Sequence, residues 1–248
     1  WYVDTMTETK SYETIAANVA AVREHMRLAA LAAGRDPAEI TLVAATKTQS
    51  DDVIRQAIAA GVTVCGENRV QELTAHWEAG AYEGAQVHFI GHLQTNKVKY
   101  LMGKVDLIHS VSSQKLLLEI DKQAGKAGLV QDILLEVNLA QEPSKSGFFV
   151  PDVLPAAQLC GQLEHVRLRG LMCIPPAATF PEENLPFFHK LQALAVDIQE
   201  RMGDNKTDTK ILSMGMSGDF TAAIAAGATH IRVGTAIFGP RSPISNPF

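Results

Sequence analysis

Eight times between residues 41 and 235 the sequence passes through a short apolar or β-branched run, a polar turn and an amphipathic stretch. The runs are Thr41–Lys47, Gly61–Gly66, Gln86–Gly91, Val105–Val111, Ile133–Leu139, Val166–Ile174, Lys210–Met214 and Thr229–Thr235. Such short, nearly continuous apolar runs read as strands covered on both faces, and the helical stretches between them supply the cover. The helical stretches begin at Ser50-Asp51-Asp52, Glu67, about Gln94, Ser112 (read as an N-cap), Pro151, about Glu182 and Gly218. Strands alternating with helices demand parallel pairing through right-handed crossovers, and eight such units close into a (β/α)₈ TIM-type barrel of the α/β class. An open doubly wound sheet is the alternative. It would carry a glycine-rich fingerprint after its first strand, where this chain has Thr46-Lys47-Thr48.

A helix over about residues 10–34 precedes this pattern, with Ile15, Val19, Val22, Met26 and Leu28 near one face and Gly34-Arg35-Asp36-Pro37 as its stop. It reads as an extra N-terminal helix outside or beneath a barrel spanning residues 40–242. No composition break divides the 248 residues, so one domain over 1–248 is expected, with Gly203–Thr209 as a polar surface loop. The start, Trp1-Tyr2-Val3-Asp4 without a methionine, reads as a trimmed or tagged end, and no signal peptide is evident. A net charge of −5 argues against a nucleic-acid partner, and no apolar run is long enough for a bilayer. Cys65, Cys160 and Cys173 lie far apart in apolar surroundings, which suits reduced buried thiols. The eight histidines form no HxH or HExxH pattern, so no metal is expected. The expected location is the cytoplasm, with the mitochondrion left open.

Barrel chemistry gathers at the C-terminal ends of the strands. Here those ends supply Lys47, Asn68, His92, Ser110, Asn138, Cys173, Ser213 with Ser217, and Gly234 with Thr235. Lys47 either snorkels to solvent or, if partly desolvated, becomes a nucleophilic amine. Two glycine- and hydroxyl-bearing loops, Ser213-Met214-Gly215-Met216-Ser217-Gly218 and Arg232-Val233-Gly234-Thr235, follow strands seven and eight, the usual phosphate site of barrels. A lysine on strand one near such a cradle suggests a phosphorylated aldehyde held as a Schiff base, with pyridoxal 5′-phosphate (PLP) the obvious candidate. The absence of a carboxylate pair among the strand ends weighs against glycoside hydrolysis.

The segments Ala44-Ala45-Thr46-Lys47, Gly66-Glu67-Asn68-Arg69-Val70-Gln71-Glu72, His88 to Lys97, Ser144-Lys145-Ser146-Gly147, Arg169-Gly170-Leu171-Met172, Leu212 to Ser217 and Arg232 to Gly239 resemble the PLP homeostasis protein family. The resemblance runs in order from about residue 10 to 242. That family is similar to the barrel domain of alanine racemase without its β-rich second domain. The resemblance implies a carrier or regulator of the intracellular PLP pool with no established catalytic activity. It implies Lys47 as the Schiff-base lysine, and Ser217, Gly234, Thr235 and Ser213 around the phosphate. It also implies Arg232 at the pyridine nitrogen and Asn68 beside the ring. Lys145, on the loop after strand five, and Met214, in the cradle loop, are the site-proximal candidates. His92 stands where some relatives have proline and receives no role. Glu67 and Arg69 are left either as a surface pair or as groups that order Asn68.

Two other functions compete. An amino-acid racemase needs acid/base groups on both faces of Cα. None of Tyr2, Tyr12, Tyr82 and Tyr100 falls at a strand's C-terminal end. A cofactor-free Schiff-base aldolase needs a carboxylate for its proton transfers, and none is matched here. The expected protein is therefore a monomeric, non-catalytic PLP binder, with PLP-dependent apoenzymes as candidate partners.

Overall fold

The computed structural model describes residues 12–142, 144–203 and 207–240. Eight parallel strands form a closed barrel in sequence order. They are β1 (Thr41–Ala45), β2 (Val64–Glu67), β3 (Gln86–Phe89), β4 (Leu107–Val111), β5 (Gln131–Glu136), β6 (Val166–Met172), β7 (Thr207–Met216) and β8 (His230–Val233). Closure is made by β1 and β8, which pair from Thr41 opposite His230 to Ala44 opposite Val233. Around the sheet lie α2 (Asp51–Ala59), α3 (Val70–Glu78), α4 (Gln114–Ala127), α5 (Val150–Gln162), α6 (Leu185–Met202), α7 (Phe220–Ala225) and the short α8 (Thr235–Phe238), preceded in the chain by α1 (Tyr12–Ala32).

Strand alternation divides the buried side chains into two populations. Leu42, Ala44, Cys65, Phe89, Ile108, Ile133, Leu135, Leu171, Ile231 and Val233 join the large core between sheet and helices. Val43, Ala45, Val64 and Ile90 form a separate interior cluster, and Leu107, Leu134 and Met172 another. Between them lie polar interior side chains: His88, His109, Ser213 and Arg232 are all buried. Two apolar clusters with a hydrogen-bonded polar layer thus fill the barrel.

The extra helix α1 lies outside the barrel against α2, α7 and α8. Ile15, Val19, Val22, Met26 and Ala30 form its buried stripe, whereas Leu28 is exposed. Asn18 Nδ2 donates to Ile237 O at 2.8 Å, and Arg35 Nη1 donates to Ile224 O and Ala228 O, both at 2.8 Å. These bonds satisfy carbonyls at the ends of α7 and α8, so α1 braces the barrel where it closes.

Several expected boundaries shift. The third crossover is a 3₁₀ helix, Thr95–Tyr100. Its buried Val98 and the following Leu101 are three residues apart, the spacing that one face of such a helix presents. Ser113, not Ser112, caps α4, accepting from Leu116 N at 3.2 Å. A 3₁₀ turn, Pro181–Asn184, opens the long helix at α6. Residues 207–209 of the expected loop are strand. Thr209 Oγ1 donates to Ala195 O at 3.0 Å, fastening the start of β7 to α6. Residues 10–11, 204–206 and 241–242 of the expected helix, loop and barrel lie outside the described residues.

Gly170 is where β6 changes register against β7. Its φ is +155°, and a Cβ there would stand 1.8 Å from Ile211 O. Gly161, within α5, would bring a Cβ no nearer than 3.5 Å to Met202 Cε. Gly170→Ala is therefore expected to destabilise by ~2–4 kcal/mol. Gly161→Ala is expected to stabilise by about 0.5 kcal/mol. Urea unfolding of both variants checks the pair, and equal effects would contradict the packing described.

Candidate functional site

The C-terminal mouth is built around the end of β1. Val43 and Ala45 face the interior, and continuing that alternation past the strand puts half-buried Lys47 on the interior side of the rim. The turn after it is tightly held. Thr46 N donates to Gly66 O at 3.0 Å, Gln49 N to Thr46 O at 3.0 Å, and Thr48 N to Glu72 Oε2 at 3.1 Å. Thr48 adopts φ +63°, a left-handed conformation that a β-branched residue reaches only under constraint.

Behind this turn, on the helix side of the sheet, Glu67 is fully buried. Its Oε1 accepts from the Thr46 hydroxyl and, at 3.0 Å, from Tyr82 OH. Burial raises the Glu67 carboxyl pKa, and the two hydroxyl donors partly oppose that. Glu67 is thus the clamp that ties β2 to the residue before Lys47. Arg69 points elsewhere and pairs with Glu72 at 3.1 Å, so the two do not form a pair.

A cavity of about 290 Å³ opens at the same mouth, lined by Asn68, Ser110, Glu136, Asn138, Lys145 and Ile174 among others. Asn68 follows β2 directly, and Gly91 lets the ends of β2 and β3 meet, since a Cβ there would fall 2.1 Å from Asn68 O. Asn68 Oδ1 and Ser110 Oγ are buried without a hydrogen-bond partner among the described residues. A register shift between Ile108 and Val111 brings both His109 and Ser110 inward. Asn138 organises the following loop: its Nδ2 donates to Glu142 O at 2.8 Å and Lys145 O at 3.2 Å, and its Oδ1 accepts from Glu142 N at 3.2 Å. Lys145, at the cavity rim, pairs with Glu142 at 3.0 Å. Ser146 Oγ lies 3.2 Å from His92 Nδ1, which closes the loop over the third strand end.

Barrel closure sets the ends of β7 and β8 beside β1. Gly234 lies so close that a Cβ on it would stand 3.4 Å from Ala45 Cβ. Ser217 Oγ accepts from Gly234 N at 3.3 Å and Ala236 N at 3.4 Å, joining the two loops. Asp219 holds the β7 turn, accepting from Met216 N at 2.7 Å and Asn184 Nδ2 at 2.8 Å. Thr235 is exposed at the start of α8.

The family described as "Alanine racemase, N-terminal domain" matches residues 11–242. Over 220 residues the chain is 44% identical to the pyridoxal phosphate homeostasis protein of Aquifex aeolicus (strain VF5), covering 89% of this chain and 95% of that one. The chain belongs to the pyridoxal phosphate homeostasis protein family. The Escherichia coli K12 member is 36% identical over 230 residues, with 92% and 97% coverage. Among solved structures, PipY of Synechococcus elongatus PCC7942 with PLP bound superposes with a TM-score of 0.79 at 34% identity, covering 91% of this chain and all of that one. Diaminopimelate decarboxylase of M. jannaschii, at 15% identity and a TM-score of 0.73, shares the fold over 60% of its length.

Of the residues that the family resemblance singles out, Lys47, Ser217, Gly234 and Thr235 lie where β1, β7 and β8 end, and Asn68 directly follows the neighbouring strand β2. Two stand elsewhere. Ser213 lies deeper, fully buried, with its hydroxyl engaged by Arg232 and His109, so it supports the arginine and does not reach the cradle. Met214, the next residue along the strand, necessarily faces the helices and belongs to the outer core. Arg232 is buried, donating to Ser213 Oγ and, at 2.9 Å, to Cys173 O. All three cysteines are free and buried, and burial pushes their thiols up to about 12, so none is a thiolate nucleophile.

Sequence reading passed over Glu136. It stands two residues before Asn138 on the same interior side, a lone carboxylate in the run Ile133–Leu139, and that alternation is the signal that marks it. Burial pushes its carboxyl up to about 7, an effect that Arg232 partly opposes. A carboxyl whose folded pKa lies above its ordinary value near 4.5 adds stability below about pH 4.5 that is lost as pH rises through 7. Glu136→Gln is therefore expected to unfold like the parent at pH 5 and to be more stable at pH 8, by about 3 kcal/mol at most. Thermal unfolding at the two pH values checks this, and a loss of stability at pH 8 would contradict it.

Proposed function

We propose that this chain binds PLP at the C-terminal mouth of the barrel and acts as a carrier or regulator of the cofactor pool. The observation that carries the reading is barrel closure: it sets Ala45, two residues before Lys47, against Gly234, whose N–H, with that of Ala236, meets the Ser217 hydroxyl. Two further features fit the group. Asn68 Oδ1 and Ser110 Oγ are buried polar atoms for which a polar ligand in the cavity offers partners. The relatives carry the corresponding name, and PipY has been solved with PLP bound.

PLP supplies an aldehyde that a primary amine captures covalently, a phosphate dianion and a ring nitrogen. Lys47 would furnish the amine. The Ser217 hydroxyl, the N–H groups around Gly234, and Thr235 would hold the phosphate, and Asn68 and Ser110 would meet polar ring substituents. Arg232, which only donates hydrogen bonds, would hold the ring nitrogen unprotonated. An unprotonated ring is a poor electron sink, which suits storage and release better than carbanion chemistry. Tyr82 is committed to Glu67, and Tyr100 is exposed on the third crossover, so neither offers the second acid/base group of a racemase. Among the described residues no helix is long and apolar enough to cross a membrane. A cytoplasmic, single-domain monomer that passes PLP to apoenzymes completes the reading.

Borohydride treatment of the PLP-loaded protein is expected to leave a pyridoxyl group on the Lys47 peptide, and Lys47→Ala should abolish it. Labelling centred on another lysine would overturn the assignment. Ser217→Ala is expected to weaken PLP by about 1.5–3 kcal/mol while sparing unphosphorylated pyridoxal. Equal losses for both would mean that Ser217 serves the fold alone. Incubation with L-alanine in deuterated water should give Cα exchange near the free-PLP background. Turnover at about 1 per second or faster would establish an enzyme.

A further inference from the structure

A continuous hydrogen-bond chain crosses the barrel interior beneath Arg232. Arg232 Nη1 meets Ser213 Oγ, which lies 2.8 Å from His109 Nδ1, and His109 Nε2 lies 3.0 Å from His88 Nδ1. Either imidazole nitrogen can donate or accept, so two distances between rings do not reveal which atoms carry the hydrogens. The guanidinium resolves this, because it cannot accept.

Arg232 must donate to Ser213 Oγ. The serine oxygen can accept two bonds, but among the described residues His109 Nδ1 is the hydroxyl's one other partner, so the serine hydrogen goes to Nδ1, which accepts and bears no hydrogen. A neutral His109 consequently carries its hydrogen on Nε2 and donates it to His88 Nδ1. His88 in turn carries its own on Nε2. It lines a cavity of about 440 Å³ at the opposite, N-terminal mouth, where solvent can accept. Every bond thus runs one way, from the guanidinium outward. We propose that His109, backed by His88, is a positioning residue for Arg232: by accepting the Ser213 hydroxyl hydrogen it aims the serine oxygen at the guanidinium and fixes where that cation sits.

The surroundings keep both rings neutral. Burial is the largest cause of depression at each, taking His88 down to about 3, with His230 adding repulsion, and His109 well below its ordinary value, with His88, His230 and Arg232 adding repulsion. The His230 ring lies 5.9 Å from His88 and 6.1 Å from His109, and burial takes it to about 4. Cys173, Glu136 and Asp219 are the acidic groups that face Arg232. An imidazolium at His109 would turn Nδ1 from acceptor to donor and leave the serine hydrogen without a partner, at a cost that grows in a buried site.

The polarity of the chain is a property of the protein alone, whereas its consequence for a ligand rests on the PLP reading. Two measurements keep them apart. Nitrogen-15 NMR of the ligand-free protein labelled at histidine should show His88 and His109 as Nε2–H tautomers, unchanged between about pH 6 and 8. An Nδ1–H tautomer or an imidazolium at His109 overturns the proposal. In the second, PLP and an analogue with C–H in place of the ring nitrogen are titrated into the parent, His109→Leu and His109→Gln. His109→Leu should bind PLP about tenfold more weakly and the analogue unchanged. His109→Gln, which retains one acceptor and one donor, should recover part of the loss. Equal losses for both ligands assign His109 to the fold and overturn the positioning role. If His109→Leu does not fold, the tautomers decide. If the parent binds neither ligand, the PLP reading fails and the tautomers again decide the chain.

Discussion

The pairing of β1 with β8 is the constraint on which the rest depends. It joins the first strand to the last and gives every strand an inside and an outside. Only with the ring closed does Lys47, early in the chain, lie beside Gly234, nearly two hundred residues later. The two sides also fill differently. The outer face meets helices and is apolar almost throughout, whereas the inner face ends in apolar clusters around a layer of hydrogen-bonded polar groups.

That polar layer follows from burying a guanidinium. A desolvated cation costs several kcal/mol unless its donors are met. Arg232 meets two of its five with Ser213 and the Cys173 carbonyl. Each acceptor then has requirements of its own, and they propagate through His109 to His88. Polar interiors of this kind are tolerated when fully connected and costly when broken. The mouth above is therefore held from below by bonds that tie β8 to β7 and β4 to β3 and, through Ser213 and His109, cross the barrel from β7 to β4.

At the mouth the sheet supplies rigidity and the loops supply reach. Glu67 ties the end of β1 to β2 from the helix side, leaving the interior face of the Lys47 turn for other uses. Asn138 does the same for the loop that carries Lys145, using both ends of its amide. The unsatisfied atoms of Asn68 and Ser110 stand between these two clamps.

Much of this was legible in the residues. Repeated apolar runs and helical stretches gave the barrel, because both periods are local properties of the chain. The strand-end positions of Lys47, Asn68, Ser217 and Gly234 followed from the same alternation. Other features needed the fold itself. Ser213 reads as a cradle hydroxyl because Ser217 follows it closely, yet three intervening strand residues place it a layer deeper, where Arg232 and His109 claim it. Glu67 and Arg69 read either as a surface pair or as groups that order Asn68, but alternation turns Glu67 toward Tyr82 in the core. His88 and His109 are isolated letters twenty-one positions apart. Sequence determined which residues each strand offers to the interior. Tertiary structure alone decided which of them meet, because contacts across a closed barrel depend on register and on the four irregularities that shift it, and neither is encoded in any single segment.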